Sequence, residues 1–270
     1  MNALFNGEAA GDWAQSRGLH YGDGVFRTVL IWNGEPLDWN LHLAKLGGDC
    51  YALGLDMPPG ALLLADARKL AGGQQRAVLK LMVIRKSDGR GYRASGTASD
   101  RLCLLFPAPC YPASHWEHGI AAFRCELRLA AQPALAGIKH LNRLEQVLAT
   151  RSWPSGIDEG ILCDRDGHPI CGTRSNLCWV QDGVVGTPVL DECGVSGIML
   201  NKIKQMSEQI KVNFVTRKIS WDALLSSSEV FVCNSLIGIW PLSRLDQRTW
   251  PCPGPITMAL QQAFAHPRLS

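Results

Sequence analysis

One lysine of the chain has a setting in which its amine could form a covalent bond to a carbonyl group. Lys139 follows a loop that contains Pro133 and begins a run of apolar residues at helical spacing. That run predicts a helix that starts at Lys139 and presses one side against a core. Its apolar positions are Leu141, Leu144, Val147 and Leu148. The lysine is then either a solvated residue at a helix start or a desolvated amine that forms a Schiff base.

A glycine-rich turn near residue 195 could bind an anion. Gly194-Val195-Ser196-Gly197 leads into a predicted helix from Ile198 to about Ile210. Free N–H groups and the positive end of the helix dipole at such a turn suit a phosphate. An ordinary capped helix is the alternative, and the local pattern leaves both interpretations open.

A second glycine motif, Gly22-Asp23-Gly24, is a weaker candidate for phosphate binding. It precedes a predicted strand, Val25 to Ile31, instead of joining a strand to a helix. The pattern favours a tight turn that lets the backbone pass close to a neighbour.

Composition excludes several classes of protein. The 270 residues are 46% hydrophobic and 19% charged, with 27 basic and 24 acidic residues. The resulting charge of +3 is too small to indicate a nucleic-acid partner. We predict neither a signal peptide in Met1 to Gly11 nor a membrane span, because the most apolar segment, Val230 to Leu242, is short and interrupted.

Ten cysteines are scattered along the chain without any Cys-x-x-Cys pair. Most have apolar neighbours, as small core residues do. We therefore expect reduced thiols in a cytosolic protein and no structural metal.

The order of predicted elements indicates an α+β fold with two lobes. Helices are predicted for 37–55 and 61–70, and strands for 76–85, 101–106 and 119–128. The proline-rich run from Pro107 to Pro112 is the best candidate for a linker. We predict a small N-terminal α/β domain (1–108), a linker (109–113) and a larger, strand-rich C-terminal domain (114–270) that carries Lys139.

Taken together, the motifs resemble those of the fold type IV pyridoxal-phosphate enzymes. This family includes branched-chain and D-amino-acid transaminases and 4-amino-4-deoxychorismate lyases. The similarity extends from about residue 4 to about residue 242. The run around Lys139, with Gly89-Arg90-Gly91-Tyr92, looks most like the lyases. The motifs occur in the family's order: Gly22-Asp23-Gly24-Val25-Phe26, His42-x-x-Lys45-Leu46, Gly137-Ile138-Lys139-His140-Leu141-Asn142-Arg143-Leu144-Glu145-Gln146, Ser175-Asn176-Leu177, Gly194-Val195-Ser196-Gly197-Ile198 and Asn234-Ser235.

The resemblance implies a role for each matching residue. Lys139 would bind the aldehyde of pyridoxal 5'-phosphate and then move protons. The cofactor phosphate would be held by the turn residues Ser196, Gly197, Ile198 and Met199, together with Lys45, Asn234 and Ser235. Arg90, Tyr92 and Thr28 are candidates for binding the substrate, since an arginine fork matches a carboxylate.

Two positions depart from the family pattern. Lys45 stands where the family has an arginine, which keeps the charge but loses bidentate geometry. Cys171 stands five residues before Asn176, where the resemblance implies an acidic partner for the pyridine nitrogen of the cofactor. A neutral thiol would keep that nitrogen protonated less well than a carboxylate does.

The resemblance implies a lyase that converts 4-amino-4-deoxychorismate to 4-aminobenzoate and pyruvate in folate biosynthesis, with two chains forming a homodimer. One alternative is a fold type IV aminotransferase for branched-chain or D-amino acids. The other is a cofactor-binding homologue with little turnover, because of Cys171.

Overall fold

The computed structural model describes residues 2–9, 13–87 and 89–270. The chain divides into two compact units, Met1–Pro109 with Ile138–Asn142, and Cys110–Gly137 with Arg143–Ser270. Both units combine helices with β-sheet, which confirms the predicted α+β class. The predicted domain boundaries stay a prediction, and the structure groups the segment around Lys139 with the first unit although its neighbours in sequence belong to the second.

In the described part of the first unit, six strands form one sheet, flanked by helices. Its strands are β1 (Ala3–Phe5), β2 (Glu8–Ala9), β3 (Gly24–Trp32), β4 (Glu35–Pro36), β5 (Arg76–Arg85) and β6 (Ser99–Phe106), and its helices are α1 (Arg17–Tyr21), α2 (Trp39–Ala52) and α3 (Gly60–Ala71). The strand order is β2-β1-β6-β5-β3-β4. The predicted strands and the two longer helices are therefore present, while α1 was not predicted.

Strand β3 positions most of the first unit's candidate residues. It pairs antiparallel with β5 along its whole length, as expected of two apolar runs. Asn33 and Gly34, both with positive φ, form the predicted two-residue turn to β4. Alternate side chains of β3, including Val25 and Val29, enter the core below α2 and α3.

The segment Ile138–Asn142 lies beside the first half of β3 as an extra extended piece. His140 pairs antiparallel with Val25, the Phe26 N–H donates to the Lys139 carbonyl at 2.9 Å, and the Leu141 N–H donates to the Gly24 carbonyl at 3.0 Å. These bonds to the strand edge occupy backbone groups that a helix would need. The prediction that a helix starts at Lys139 is therefore wrong.

The described part of the second unit is built on a sheet that closes on itself. Its strands are β7 (Ile120–Arg128), β8 (Glu159–Cys163), β9 (Pro169–Gly172), β10 (Asn176–Gln181), β11 (Val184–Thr187), β12 (Phe214–Thr216), β13 (Glu229–Asn234), β14 (Gly238–Leu245) and β15 (Arg248–Thr249), and its helices are α4 (Ser114–Glu117), α5 (Leu144–Thr150), α6 (Ile198–Gln209), α7 (Trp221–Leu225) and α8 (Pro255–Phe264). The order is β12-β11-β10-β13-β14-β7-β8-β9, with β15 on β14, and a further pairing of β9 with β10 closes a ring of six strands.

Two hydrophobic clusters occupy the two faces of this sheet. Trp179, Val232 and Trp240 belong to one cluster, while Cys178 and Phe231 pack with α6 and α8 in the other. Adjacent residues of β10 thus point in opposite directions, as alternation along a strand requires.

Helix α5 departs from its predicted packing. Its apolar residues Leu144, Val147 and Leu148 are 66%, 51% and 40% exposed, and Ala149 is its buried residue. The prediction that these side chains face a core is therefore wrong. Leu141 lies before the start of α5 and packs against the cluster of Phe26, Met82 and Ile84 in the first unit.

All ten cysteines lie in the described part of the chain and are free thiols. Among the described helices, none combines the length and the apolar character that a membrane crossing would require.

Candidate functional site

Lys139 lies on the sheet of the first unit next to an aromatic ring. The pairing beside β3 puts Lys139 opposite Phe26, and its ammonium nitrogen is 4.5 Å from the centroid of the Phe26 ring. The residue is half-buried. This position favours a partly desolvated amine over a lysine fully surrounded by water.

Thr28 belongs to the same face of the sheet as Phe26, because it lies two residues further along β3. The partner of Thr28 on the neighbouring strand β5 is Lys80. The ammonium nitrogen of Lys80 is 5.0 Å from the centroid of the Phe26 ring. Two ammonium groups therefore contact the Phe26 ring, on the face of β3 that also carries Thr28.

A buried carboxylate on α2 connects Lys45 to the Lys139 segment. Asp49 lies one turn after Lys45 and forms an ion pair with it. Its Oδ2 atom accepts hydrogen bonds from Arg27 Nη1 at 3.2 Å and from the Lys139 N–H at 3.3 Å. Burial lowers the pKa of the Arg27 guanidinium, and the charge of Asp49 opposes that effect. Lys45 is thus already engaged by a carboxylate, a partner that the motif around it does not indicate.

The loop that carries Arg90 and Tyr92 is exposed but anchored. The buried Arg17 donates to the carbonyl of Gly91 at 2.8 Å and to that of Tyr92 at 3.1 Å, and pairs with Asp23 at 2.9 Å. The Tyr92 ring is 89% exposed. The predicted substrate residues therefore project from a loop whose backbone is fixed by Arg17.

In the second unit, the predicted phosphate turn is tied to residue 137 by backbone hydrogen bonds. The Gly137 N–H donates to the Gly194 carbonyl, and the Ser196 N–H donates to the Gly137 carbonyl, both at 3.0 Å. The backbone N–H of Ser196 is therefore engaged within the protein. Ile198 and Met199 open α6, where N–H groups have no intrahelical acceptor and can point to an anion.

The side chain of Asn176 holds the turn before α6 in place. Its Nδ2 atom donates to the Val195 carbonyl at 2.7 Å. Its Oδ1 atom occupies the space in which a Cβ on residue 197 would lie. Gly197 is consequently required by close packing against Asn176.

Asn234 shapes the turn that carries Ser235. Its Oδ1 atom accepts hydrogen bonds from the N–H groups of Leu236 at 2.8 Å and Ile237 at 3.0 Å, and its Nδ2 atom donates to the Arg174 carbonyl at 3.2 Å. The side chain of Asn234 therefore supports the turn on which Ser235 lies, and the contact of Asn234 and Ser235 with a phosphate stays a prediction.

Cys171 is a buried thiol on β9. Burial raises its pKa well above the ordinary value, so the thiol is neutral near pH 7. Arg143 is close enough for its charge to act on this thiol. The nearby carboxylate of Glu159 is bound by Thr173 Oγ1 at 2.6 Å and Ser175 Oγ at 2.8 Å. Glu159 therefore holds the loop after β9.

The structure gathers the predicted residues in two separate sets. Lys45, Thr28 and Lys139 lie on or beside β3 and α2, and Arg90 and Tyr92 lie on an anchored loop of the same unit. The turn residues 196–199, the pair at 234–235 and Cys171 belong to the second unit.

Sequence reasoning missed four supporting residues: Arg17, Arg27, Asp49 and Asn176. A signal existed for Arg27, because an arginine inside the apolar run Val25 to Ile31 requires a buried partner. Asp49 could then have been found as an acidic residue four positions after Lys45.

A cluster of potential metal ligands in the described residues is explained by its turn. Asp164, Asp166 and His168 bring one ligand atom each within 4.8 Å of one another. Asp164 Oδ1 accepts the N–H groups of Asp166 at 3.0 Å and His168 at 2.8 Å. The carboxylate thus closes a turn between β8 and β9.

Comparisons with known proteins identify the family. The model of the amino-transferase class IV family matches residues 24–245, so the chain belongs to that family. A crystal structure of 4-amino-4-deoxychorismate lyase from Pseudomonas aeruginosa is 39% identical, with a TM-score of 0.91 over 96% of this chain and 97% of that one.

Two further relatives are similar over most of their length. An aminodeoxychorismate lyase of Vibrio harveyi is 32% identical over 84% of each chain. A D-alanine aminotransferase of Bacillus licheniformis is 28% identical over all of this chain and 98% of that one. The resemblance, the fold type IV architecture and the predicted pyridoxal-phosphate cofactor are thereby confirmed, and the chain belongs to a family of enzymes.

The residues present suit this cofactor in most respects. In the first unit, the Lys139 amine suits an aldehyde and the Lys45 ammonium suits an anion. In the second unit, the first N–H groups of α6 suit an anion. Close packing of Gly197 against Asn176 fixes the turn that precedes the first N–H groups of α6. At residue 171 the fit is poorer, because a neutral thiol stands where the resemblance implies a carboxylate.

Proposed function

We propose that the protein eliminates pyruvate from 4-amino-4-deoxychorismate and so forms 4-aminobenzoate, a step of folate biosynthesis. The observation that carries this proposal is the likeness to the lyase from Pseudomonas aeruginosa, at 39% identity over 96% of the chain. The geometry around Lys139 supports it, since an amine beside Phe26 is half-buried and can exchange protons.

Pyridoxal phosphate, when bound, withdraws electrons from the carbon that bears the substrate nitrogen. Lys139 Nζ removes the proton from that ring carbon. The C–O bond to the enolpyruvyl group then breaks, and a proton is delivered to its methylene carbon, so that pyruvate leaves and the ring becomes aromatic. One proton is removed and one is added, which balances the reaction without an oxidant or water.

The other residues bind and orient. Lys45 and the N–H groups of Ile198 and Met199 hold the phosphate, with Ser235 as a further contact. The phenyl ring of Phe26 lies against the Lys139 amine and restricts where it can move. Arg90, with Tyr92 beside it, binds a carboxylate of the substrate, and Thr28 contributes a hydroxyl.

The direct test is to incubate the purified holoenzyme with 4-amino-4-deoxychorismate and to measure 4-aminobenzoate and pyruvate. We expect equal amounts of both products and no requirement for a keto acid. A yield that does not exceed that of Lys139→Ala would contradict the proposal.

An aminotransferase is the second candidate, supported by the likeness to D-alanine aminotransferase over the full chain. A transaminase must transfer its amino group to a keto acid before the next cycle. Turnover of branched-chain or D-amino acids that depends on added 2-oxoglutarate would select this candidate over the lyase.

The thiol at residue 171 supports a third candidate, a cofactor-binding protein with little turnover. Its neutral state provides a poor counter-charge for a protonated ring nitrogen. Cofactor fixed to Lys139 by borohydride, without lyase or transaminase products, would select this candidate. Activity gained in Cys171→Glu would then identify the thiol as the cause.

We also propose that two chains form a homodimer, as the resemblance implies. Sedimentation equilibrium of the holoenzyme at micromolar concentration tests this, and a mass equal to one chain would contradict it.

A further inference from the structure

We infer that Asp49 and Arg27 are positioning residues that together fix Lys45 and the peptide of Lys139 for the cofactor. This inference rests on the proposed contacts of both lysines with pyridoxal phosphate. It assigns a purpose to the buried ion pair that joins β3 to α2.

Both oxygens of Asp49 are in use. Oδ1 pairs with Lys45, and Oδ2 accepts from Arg27 Nη1 at 3.2 Å and from the Lys139 N–H at 3.3 Å. The Asp49 side chain is 1% exposed. A single carboxylate therefore contacts both the Lys45 ammonium and the Lys139 backbone, which also pairs with β3.

Arg27 keeps that carboxylate in place. It is 3% exposed in the middle of β3, between the core residues Val25 and Val29. Removing a guanidinium from water is costly, and apolar residues of similar volume usually stabilise a core as well as an ion pair does. Stability alone thus does not account for a buried pair at this position, whereas orientation of the two lysines does.

The charges of the group suit a phosphate monoester. Arg27 and Lys45 are positive and Asp49 is negative, so one positive charge is in excess before Lys139 is counted. Asp49 binds the Lys45 ammonium as an ion pair and accepts a hydrogen bond from the backbone of Lys139. The result is a cationic group whose members have fixed positions, with Lys45 reaching an anion as a point charge.

The test is the double variant Arg27→Met/Asp49→Leu, which leaves the net charge unchanged and no buried charge unpaired. Apo-protein is titrated with pyridoxal phosphate and, separately, with pyridoxal, and cofactor attached to Lys139 is counted by mass after borohydride. We expect the affinity for pyridoxal phosphate to fall about tenfold or more, as loss of charged hydrogen bonds predicts. Any fall for pyridoxal measures the part that acts through Lys139, since pyridoxal has no phosphate.

A matched control exists in the same unit. Asp66 and Arg101 form another ion pair, with Nε and Oδ2 2.6 Å apart, between α3 and β6. Arg101→Met/Asp66→Leu makes the same chemical change without touching Lys45 or Lys139. We expect this control to keep the wild-type affinity for the cofactor and a melting temperature close to that of the wild-type apo-protein.

Wild-type affinity in Arg27→Met/Asp49→Leu would overturn the inference, and so would an equal loss of affinity in both double variants. Neither titration contains the substrate. An absence of lyase activity would therefore refute the proposed function without changing these results. A wild-type chain that binds no cofactor would instead refute the contacts on which both proposals rest.

Discussion

The two sets of candidate cofactor residues are built from different chemical groups. In the first unit, Lys139 and Lys45 present charged side chains, and a buried carboxylate with its own arginine holds them. In the second unit, the turn before α6 presents backbone N–H groups, and the neutral amide of Asn176 supports it.

This difference indicates how each set responds to mutation. A buried charge needs a counter-charge, so the first set depends on contacts between residues far apart in sequence, such as Arg27 with Asp49 and Asp49 with the Lys139 N–H. A backbone donor depends instead on conformation and close packing, so it depends on a glycine such as Gly197. The first set should therefore be sensitive to charge and the second to volume.

The most severe change is expected from Lys139→Ala. Loss of the amine removes both the covalent attachment and the proton transfer, so the rate should fall at least a hundred- to ten-thousandfold, the usual contribution of general acid–base catalysis. Turnover and borohydride labelling measure this. Lys80→Ala is the control, because its amine contacts the same ring from β5. Equal losses in both variants would contradict a special role for Lys139.

The next largest effect is expected from Gly197→Ala. A Cβ at this position meets Asn176 Oδ1, and overpacking costs about 1–3 kcal/mol. The Kd for pyridoxal phosphate should therefore rise by roughly tenfold to a hundredfold. Gly48→Ala on α2 is the control, since nothing lies within 4 Å of its added Cβ, and it should stabilise the helix slightly. Unchanged cofactor affinity in Gly197→Ala would show that volume is not critical at the turn.

A smaller effect is expected from Arg17→Ala, which releases the loop of Arg90. The loss of two hydrogen bonds from a charged donor frees the backbone that presents the substrate residues. The KM for the lyase substrate should rise about tenfold, while kcat changes less than twofold. Arg93→Ala on the same exposed loop is the comparison, and an equal rise of its KM would argue against anchoring.

The smallest effect concerns the pH dependence of stability. Burial, with the charge of Asp49, raises the pKa of the Cys50 thiol from 9.0 to about 12. Above pH 9 the unfolded thiol loses its proton before the folded one does, so folding stability decreases as pH rises from 9 to about 12. The slope is at most about 1.4 kcal/mol per pH unit for one thiol.

Urea unfolding of wild type and Cys50→Ala across this pH range measures the slope. The variant should lose less stability with pH than the wild type, whereas Cys110→Ala, which removes an exposed thiol, should show the wild-type slope. Parallel curves for wild type and Cys50→Ala would contradict the shifted pKa.

The sequence predicted the strands and long helices well because their patterns are local. The run 76–85 is rich in apolar residues and coincides with β5, and Ile198 begins α6 as expected. The prediction from sequence failed at Lys139. There, apolar spacing indicated a helix, but the segment pairs with the distant strand β3 instead. The Asp49 group was also missed, because it joins residues from two elements and a distant segment, and no local pattern records that contact.

The grouping of Ile138–Asn142 with the first unit has a consequence for synthesis. When residues 1–109 have emerged from the ribosome, the segment Ile138–Asn142, which pairs with the edge of β3 at Val25, has not yet emerged. The nascent first unit therefore keeps an open strand edge, and Asp49 lacks its partner from Lys139, until residue 142 has emerged. The first unit, which includes Lys139, is therefore complete only after translation has continued well past the last strand of its sheet.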